Sequence, residues 1–371
     1  MRGMQSACGG GRAWRMVALV LSVTGLVACD LGGDGSVSGG GGVGGKLALE
    51  IPCDQQADTR LREMSDAGVG LASLLGLPSG RYVLPAEAAP TQLVVMFHGH
   101  GNDSCSWRRH LQSVAAKGAV AVAMDYSGQL QEPIPHYGWR ARAGAADSIA
   151  AARYFLDRYP SIKTVHAFAV SMGGNVAGVA LAAPEAVRAD GSPLFDDWVA
   201  LEGVHNLAEE YLIVRTVAPV VPDGAIAQAE IEAENGGPIE QVPNNYLEIT
   251  NVARAADYAY LKSVVLVHAV DDGLVPTTQS REMFLALSGQ GVTSHLYTVL
   301  LRGDAEDGTT ASGLVLGPVY GAGGQVYTSA LAGHGWEGSD THLVIRTGLE
   351  QLYALMDGAE VTVGETVIPG L

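Results

Sequence analysis

Beyond residue 90 the apolar positions fall into two alternating kinds of segment. Residues 93–97 (LVVMF) form a short, wholly apolar run ending in His-Gly, the pattern of a strand buried on both faces and entering a loop. Residues 106–117 read as helix, and 119–124 as a second strand closing at Asp125. Residues 141–159 carry Ala, Ile and Leu at helical spacing until Pro160 stops them. Thr164–Val170 predicts a third strand, which runs straight into Ser171 and a helix of small residues. Residues 198–201 and Ser263–Ala269 (SVVLVHA) predict two more buried strands, and 294–301 the last, ahead of a helix near 340–356. This repetition predicts an α/β fold, with a doubly wound, mostly parallel central sheet flanked by helices. Two stretches break the pattern as cap-like insertions. Residues 204–260 are acidic and proline-bearing with weak periodicity, and 303–328 are rich in Gly. Loops this long inside a compact domain usually serve function.

Composition narrows the class. The chain has 371 residues, 47% hydrophobic and 16% charged, with a formal net charge of −17. It is too apolar for a disordered chain. Its acidity excludes the Lys- and Arg-driven binding of phosphate backbones, so no nucleic-acid partner is expected. At the N-terminus Arg2, Arg12 and Arg15 precede or flank an apolar stretch, 16–28, that is too short to span a bilayer. This is the build of an export signal, and Leu26-Val27-Ala28-Cys29 resembles a bacterial lipobox in which Cys29 is lipidated. The expected organisation is a lipoprotein signal peptide (1–28), a Gly-rich tether (29–46) and one catalytic-sized domain (47–371). The protein is then expected to be exported and anchored to a membrane by lipid, facing the periplasm or the cell exterior. Gly40 to Lys46 approaches a phosphate-loop pattern, but Leu47 stands where Ser or Thr is needed and no strand precedes it. Cys53 and Cys105 remain in the exported body, either as a disulfide or as two separate thiols.

The chemistry gathers at strand ends. In Ala169-Val170-Ser171-Met172-Gly173 a serine stands between strand and helix, flanked by residues small enough for a sharp turn. Such a turn lifts the hydroxyl above the sheet edge and aims the next amide at a substrate oxygen. A helix N-cap serine is the plainer alternative. The segment resembles the Gly-x-Ser-x-Gly elbow of the α/β-hydrolase superfamily, with Ala169 in place of the first glycine. The resemblance implies an α/β-hydrolase fold, and a His-Gly oxyanion loop is similar to His98-Gly99-His100-Gly101. The backbone amides of Met172 and His100 would then stabilise a tetrahedral oxyanion. A dinucleotide loop beginning at Gly99 lacks its third glycine.

Val270-Asp271-Asp272-Gly273-Leu274-Val275-Pro276 resembles the family's Asp-x-x-Val-Pro acid segment, which aligns Asp272, with Asp271 and Glu202 as alternatives and an Asp-Gly turn as the bland reading. The family order Ser, acid, His leaves His295, His334 and His342. His295 falls inside a strand and His342 early in the last helix, whereas His334 lies in the loop between them, as the family requires. No metal-ligand spacing competes, so neither metal nor other cofactor is expected. Trp107, Tyr126, Tyr137 and Trp139 either line a pocket or pack the core.

The reading is a serine hydrolase that cleaves carboxylic esters, small or polymeric, through an acyl-enzyme, with Ser171, His334 and Asp272 as triad. One alternative is a serine peptidase similar to the prolyl-oligopeptidases, whose acid segment is similar, although no propeller-like repeats precede the catalytic region. The other is a catalytically silent binding lipoprotein that keeps the hydrolase fold.

Overall fold

The structure is a computed structural model and describes residues 61–63, 80–126, 138–219, 222–300, 319–320, 326–327, 333–335, 337–339 and 342–369. The signal peptide, Cys29, the tether, Cys53, Tyr137 and most of 303–328 lie outside the described residues. Cys105 is disulfide-bonded.

In chain order the elements are β1 (Leu61–Glu63), β2 (Gly80–Val83), β3 (Gln92–Phe97), α1 (Arg108–Ala116), β4 (Val120–Met124), α2 (Ala141–Arg158), β5 (Thr164–Val170), α3 (Met172–Leu181) and β6 (Asp197–Leu201). Then come α4 (Leu207–Val217), α5 (Pro222–Asn235), α6 (Pro243–Glu248), β7 (Ser263–Ala269), α7 (Thr277–Gly289) and β8 (Ser294–Leu300). The short strands β9 (Val319–Tyr320) and β10 (Val326–Tyr327) pair with each other, and α8 (Leu343–Met356) and β11 (Gly364–Pro369) complete the series. One sheet runs β1-β2-β4-β3-β5-β6-β7-β8-β11, antiparallel about β2 and parallel from β4 to β11.

Strand alternation builds two cores. Leu93, Val95 and Phe97 of β3 face α2 and α3, where Ile149, Phe155 and Val176 pack; Val94 and Met96 face α1 and α8, with Leu111, Val114 and Leu352. Trp107, Tyr126 and Trp139 are all buried. A strand wholly apolar in sequence is therefore buried from both sides, and the sheet is doubly wound as expected.

Two expectations need correction. The run at 294–301 is not the last strand, because β11 adds outside it, parallel to β8. As an edge strand β11 is half exposed, with Val367 59% exposed, so its sequence lacks the apolar run of a buried strand. Residues 204–260, weakly periodic in sequence, hold α4, α5, α6 and a 3-10 segment, Asn251–Tyr258, between β6 and β7.

At the amino ends of β5, β6 and β7 a buried polar tie fixes the strand register. Asp197 accepts a hydrogen bond from Ser263 Oγ at 2.7 Å and stands 3.2 Å from His166 Nδ1. Burial works to raise the Asp197 carboxyl, but His166, Ser263 and Lys262 outweigh it and hold it below its ordinary value. A depressed carboxylate adds stability above its unfolded pKa, and that stability is lost as pH falls through the folded one. Asp197→Asn is expected to cost about 1–3 kcal/mol at pH 7 by urea unfolding, with the gap to the wild type closing as the pH falls below the ordinary carboxylate range. A gap that stays constant with pH contradicts the ionised tie.

Candidate active site

The chain order of the sheet turns back at β3, whose neighbours β4 and β5 lie on opposite sides of it. Such a reversal opens a crevice at the carboxyl ends of the strands, and ligands settle there in α/β sheets. His100, Ser171, Glu202 and Asp272 follow β3, β5, β6 and β7 at this end.

Ser171 follows β5 with φ 55° and ψ −129°, a region that L side chains rarely occupy, and it caps the start of α3. Its N–H donates to Leu201 O at 2.9 Å, and its carbonyl accepts from Gly174 N at 2.8 Å and Val204 N at 3.0 Å. Close packing keeps the next residues glycine. A Cβ on Gly173 would lie 2.3 Å from Phe97 O and 2.7 Å from His98 O, and one on Gly174 would lie 2.6 Å from Gly203 Cα. The start of α3 is thus pressed onto the end of β3, which brings the Met172 amide beside the His98–Gly101 loop.

In that loop the His98 ring stacks on Tyr126 at 3.9 Å, and Tyr126 OH donates to His98 O at 3.2 Å. The Gly99 N–H is taken by a Glu337 carboxylate oxygen. Among the described residues the His100 N–H has no acceptor, and Met172, at the first position of its helix, has no intrahelical one. The His100 ring meets Glu230 of α5, so the loop is also tied to the insertion between β6 and β7.

Asp272 leaves β7. Its Oδ1 accepts from Leu274 N (2.8 Å) and Val275 N (3.0 Å), and its Oδ2 accepts the His334 Nδ1–H at 2.8 Å. Gly333, at φ 84°, brings His334 there, since a Cβ at this position would lie 2.4 Å from Asp271 O. Asp271 contributes that carbonyl to the approach. Glu202, at φ 48° after β6, accepts from Ala269 N (3.2 Å) and Gly335 N (2.5 Å) and comes within 3.5 Å of His334 Nδ1. His295 and His342 are occupied elsewhere: the first bonds Thr366 Oγ1 at 2.9 Å, and the second caps α8 by accepting from Val344 N at 3.3 Å. Ser171 and His334, both described, make no direct hydrogen bond, a contact that tightens in many enzymes only once substrate is bound.

The electrostatics are those of a sealed nest of carboxylates around the His334 ring, with the buried His268 3.2 Å from Asp272. Burial works to raise Asp272, but His334 and His268 hold it well below the usual carboxylate range. Burial works to discharge His334, yet Asp272, Glu202 and Glu337 push it up to about 9. Glu202 is pushed up to about 7 by burial and by Asp272. Glu210 of α4, bonded to Gln279 at 2.9 Å, is pushed up to about 8, first by burial and then by Asp272. Glu202, Asp272 and His334 place one ligating atom each within 4.8 Å of one another, but those atoms are already engaged with each other and with backbone amides. With its Nδ1–H fixed on Asp272, His334 keeps Nε2 for proton transfer. Glu202 was an alternative in the sequence; Glu337, Glu210 and Glu230 carry no motif and emerge only from the fold.

No protein-family model matches the chain, and no curated protein matches it by sequence. Among solved structures it is similar to an acylaminoacyl peptidase of Pyrococcus horikoshii, at 16% identity and TM-score 0.50, over 77% of this chain and 40% of that one. It is equally similar to a puromycin hydrolase, at 16% identity and TM-score 0.50, over 78% and 38%. The fold is that of the α/β-hydrolases. The chain spans about two-fifths of the length of these two proteins. A thermophilic esterase from Thermogutta terrifontis aligns at 18% identity and TM-score 0.48, over 77% of this chain and 92% of that one. Within the α/β-hydrolase fold the elbow, the loop after β3 and the exits of β6 and β7 all lie at the carboxyl edge of the sheet, with His334 reaching them from beyond β8.

The nest makes a spectroscopic prediction. In an NMR titration the His334 ring is expected to hold its proton well past neutrality and release it near pH 9, and Asp272→Asn is expected to lower that value. Titration of the wild-type ring at an ordinary pKa of about 6.5 contradicts the charge pairing.

Proposed function

We propose that this protein is a serine hydrolase that cleaves carboxylic esters through an acyl-enzyme on Ser171. The observation that carries the reading is the His334–Asp272 hydrogen bond, 2.8 Å long and buried, at the same sheet edge as a serine held at φ 55°. Ser171 Oγ attacks the ester carbonyl carbon and gives its proton to His334 Nε2, while Asp272 stabilises the imidazolium. The carbonyl oxygen becomes an oxyanion facing the N–H groups of His100 and Met172, neither of which has an acceptor among the described residues to give up. Collapse breaks the ester bond, and the departing alkoxide takes the proton from His334. Water then repeats the sequence on the acyl-serine and releases the acid.

A serine peptidase uses the same groups, and two of the similar structures are named for an acylaminoacyl peptidase and a puromycin hydrolase. Short-chain p-nitrophenyl esters assayed against aminoacyl p-nitroanilides separate the readings. The ester reading expects the higher kcat/KM on the esters, and a reversed preference favours the peptidase. Ser171→Ala separates both from a silent binding protein, since it is expected to cost at least about 10³-fold in kcat. Unchanged turnover in that variant refutes the mechanism.

The proposal extends to location. Lipid on Cys29 would hold the domain at a membrane outside the cytoplasm, so metabolic labelling with an alkynyl fatty acid should mark the wild type and not Cys29→Ala. Equal labelling of both removes the anchor from the account.

The pH dependence follows from His334. Only the neutral ring accepts the Ser171 proton, and the ring is pushed up to about 9. For the free enzyme kcat/KM is expected to fall by about tenfold per pH unit below that point. A flat profile from pH 6 to 9, on a substrate whose chemistry limits the rate, contradicts a histidine base in this nest.

A further inference from the structure

We propose that Glu337 is a positioning residue that locks the histidine loop to the oxyanion loop, so that the base and the oxyanion amides are set by one buried carboxylate. The inference rests on the reading of the site given above and names a residue outside the triad. Glu337 lies three residues after His334 and is 1% exposed. One of its oxygens accepts the Gly99 N–H, and the other accepts Asn102 Nδ2–H at 2.8 Å. Both bonds cross from the segment that carries His334 to the segment that carries His100.

The three catalytic segments meet at Gly99. A Cβ on this residue would lie 3.1 Å from Glu337 Oε1, 3.1 Å from Ser171 Cβ and 3.6 Å from Ser171 Oγ. The Glu337 carboxylate and the nucleophile therefore both close on the space that the missing side chain of a single glycine leaves. By taking the Gly99 amide it also decides which amide of the loop stays open: the N–H of His100 has no acceptor among the described residues, whereas that of Gly99 does. An amide whose neighbour is pinned keeps its direction without reorganising when negative charge develops on substrate, which is how an oxyanion site gains its advantage over water.

The same carboxylate acts on the base through charge. His334 is faced by Asp272 after β7, Glu202 after β6, Glu210 on α4 and Glu337 on its own loop; Glu337 in turn is faced by His334, Asp103 and Tyr126. Burial pushes Glu337 up to about 7. Both of its oxygens accept hydrogen bonds, as an ionised carboxylate does, so the lock is tightest above that pH and weakens as the carboxyl takes a proton.

Three variants test the assignment, with folding checked by thermal melting and Ser171→Ala as the control for the serine mechanism. Turnover that survives in Ser171→Ala condemns the hydrolase reading; the outcomes that follow bear on Glu337 alone. Glu337→Gln removes the charge while its amide can still bridge to Gly99 and a flipped Asn102. It is expected to move the acid limb of the kcat/KM profile to lower pH and to change the plateau kcat by less than about threefold. Asn102→Ala keeps the charge and removes one anchor; it is expected to lower the plateau kcat by about threefold or more, with KM within about twofold and the limb unmoved. Glu337→Ala removes both and is expected to lower kcat by about tenfold or more. If Glu337→Ala does not fold, the other two variants carry the test. An NMR readout independent of turnover completes it: the Gly99 amide proton is expected to titrate with Glu337 in the wild type and not in Glu337→Gln. A limb unmoved in Glu337→Gln, a wild-type plateau kcat in Asn102→Ala, or a Gly99 amide indifferent to pH each overturns the proposal.

Discussion

The hydrogen bond from the His334 ring to Asp272, 2.8 Å long with both side chains nearly sealed from water, sets what the surrounding chain must supply. A buried carboxylate without a partner costs several kcal/mol, and so does a buried imidazolium. The pair is therefore tolerable only if every remaining lone pair is met. Asp272 spends its other oxygen on the amides of Leu274 and Val275, and Glu202 satisfies itself on those of Ala269 and Gly335. The exits of β6 and β7 are shaped by this requirement. Gly333 is the hinge of the arrangement, because only a residue without Cβ fits at φ 84° against the Asp271 carbonyl.

The sheet explains why these parts converge. Its order reverses at β3, and the amides freed at that reversal come from the loop after β3 and from the first turn of α3. Gly173 and Gly174 let α3 approach the backbones of β3 and of the β6 exit more closely than any side chain permits. The strain at Ser171 is borne by this packing and by bonds from both of its backbone groups, to Leu201, Gly174 and Val204. The insertion between β6 and β7 is held to the scaffold by the same economy of polar groups. Arg142 donates to the Glu234 and Asn245 carbonyls and to the Glu248 side chain, and Trp139 bonds Asn175, which in turn bonds Ile249 O.

Much of the scaffold was legible in the chain because burial leaves a plain mark. Thr164–Val170 and Ser263–Ala269 are almost wholly apolar and stand as strands with those bounds. β11 left no such mark, since an edge strand faces water and alternates weakly. The helices of 207–248 were hidden for a related reason: many of their positions are exposed, so the apolar stripe is thin. The positions of Ser171 and Asp272 could be proposed because each follows a strand in a short motif, and that of His334 because chain order leaves it in the loop before the last helix, whereas Glu337 and Glu210 are glutamates with no local pattern. What distinguishes them is burial beside His334, a property of the assembled fold that no spacing encodes.

The central claim is that Ser171 is an activated nucleophile, and covalent labelling tests it most directly. The purified protein would be treated with a fluorophosphonate probe and its peptides mapped by mass. The account predicts added mass on Ser171, lost when His334 is replaced by Ala. A folded protein that takes no label, or takes it on another serine, contradicts it.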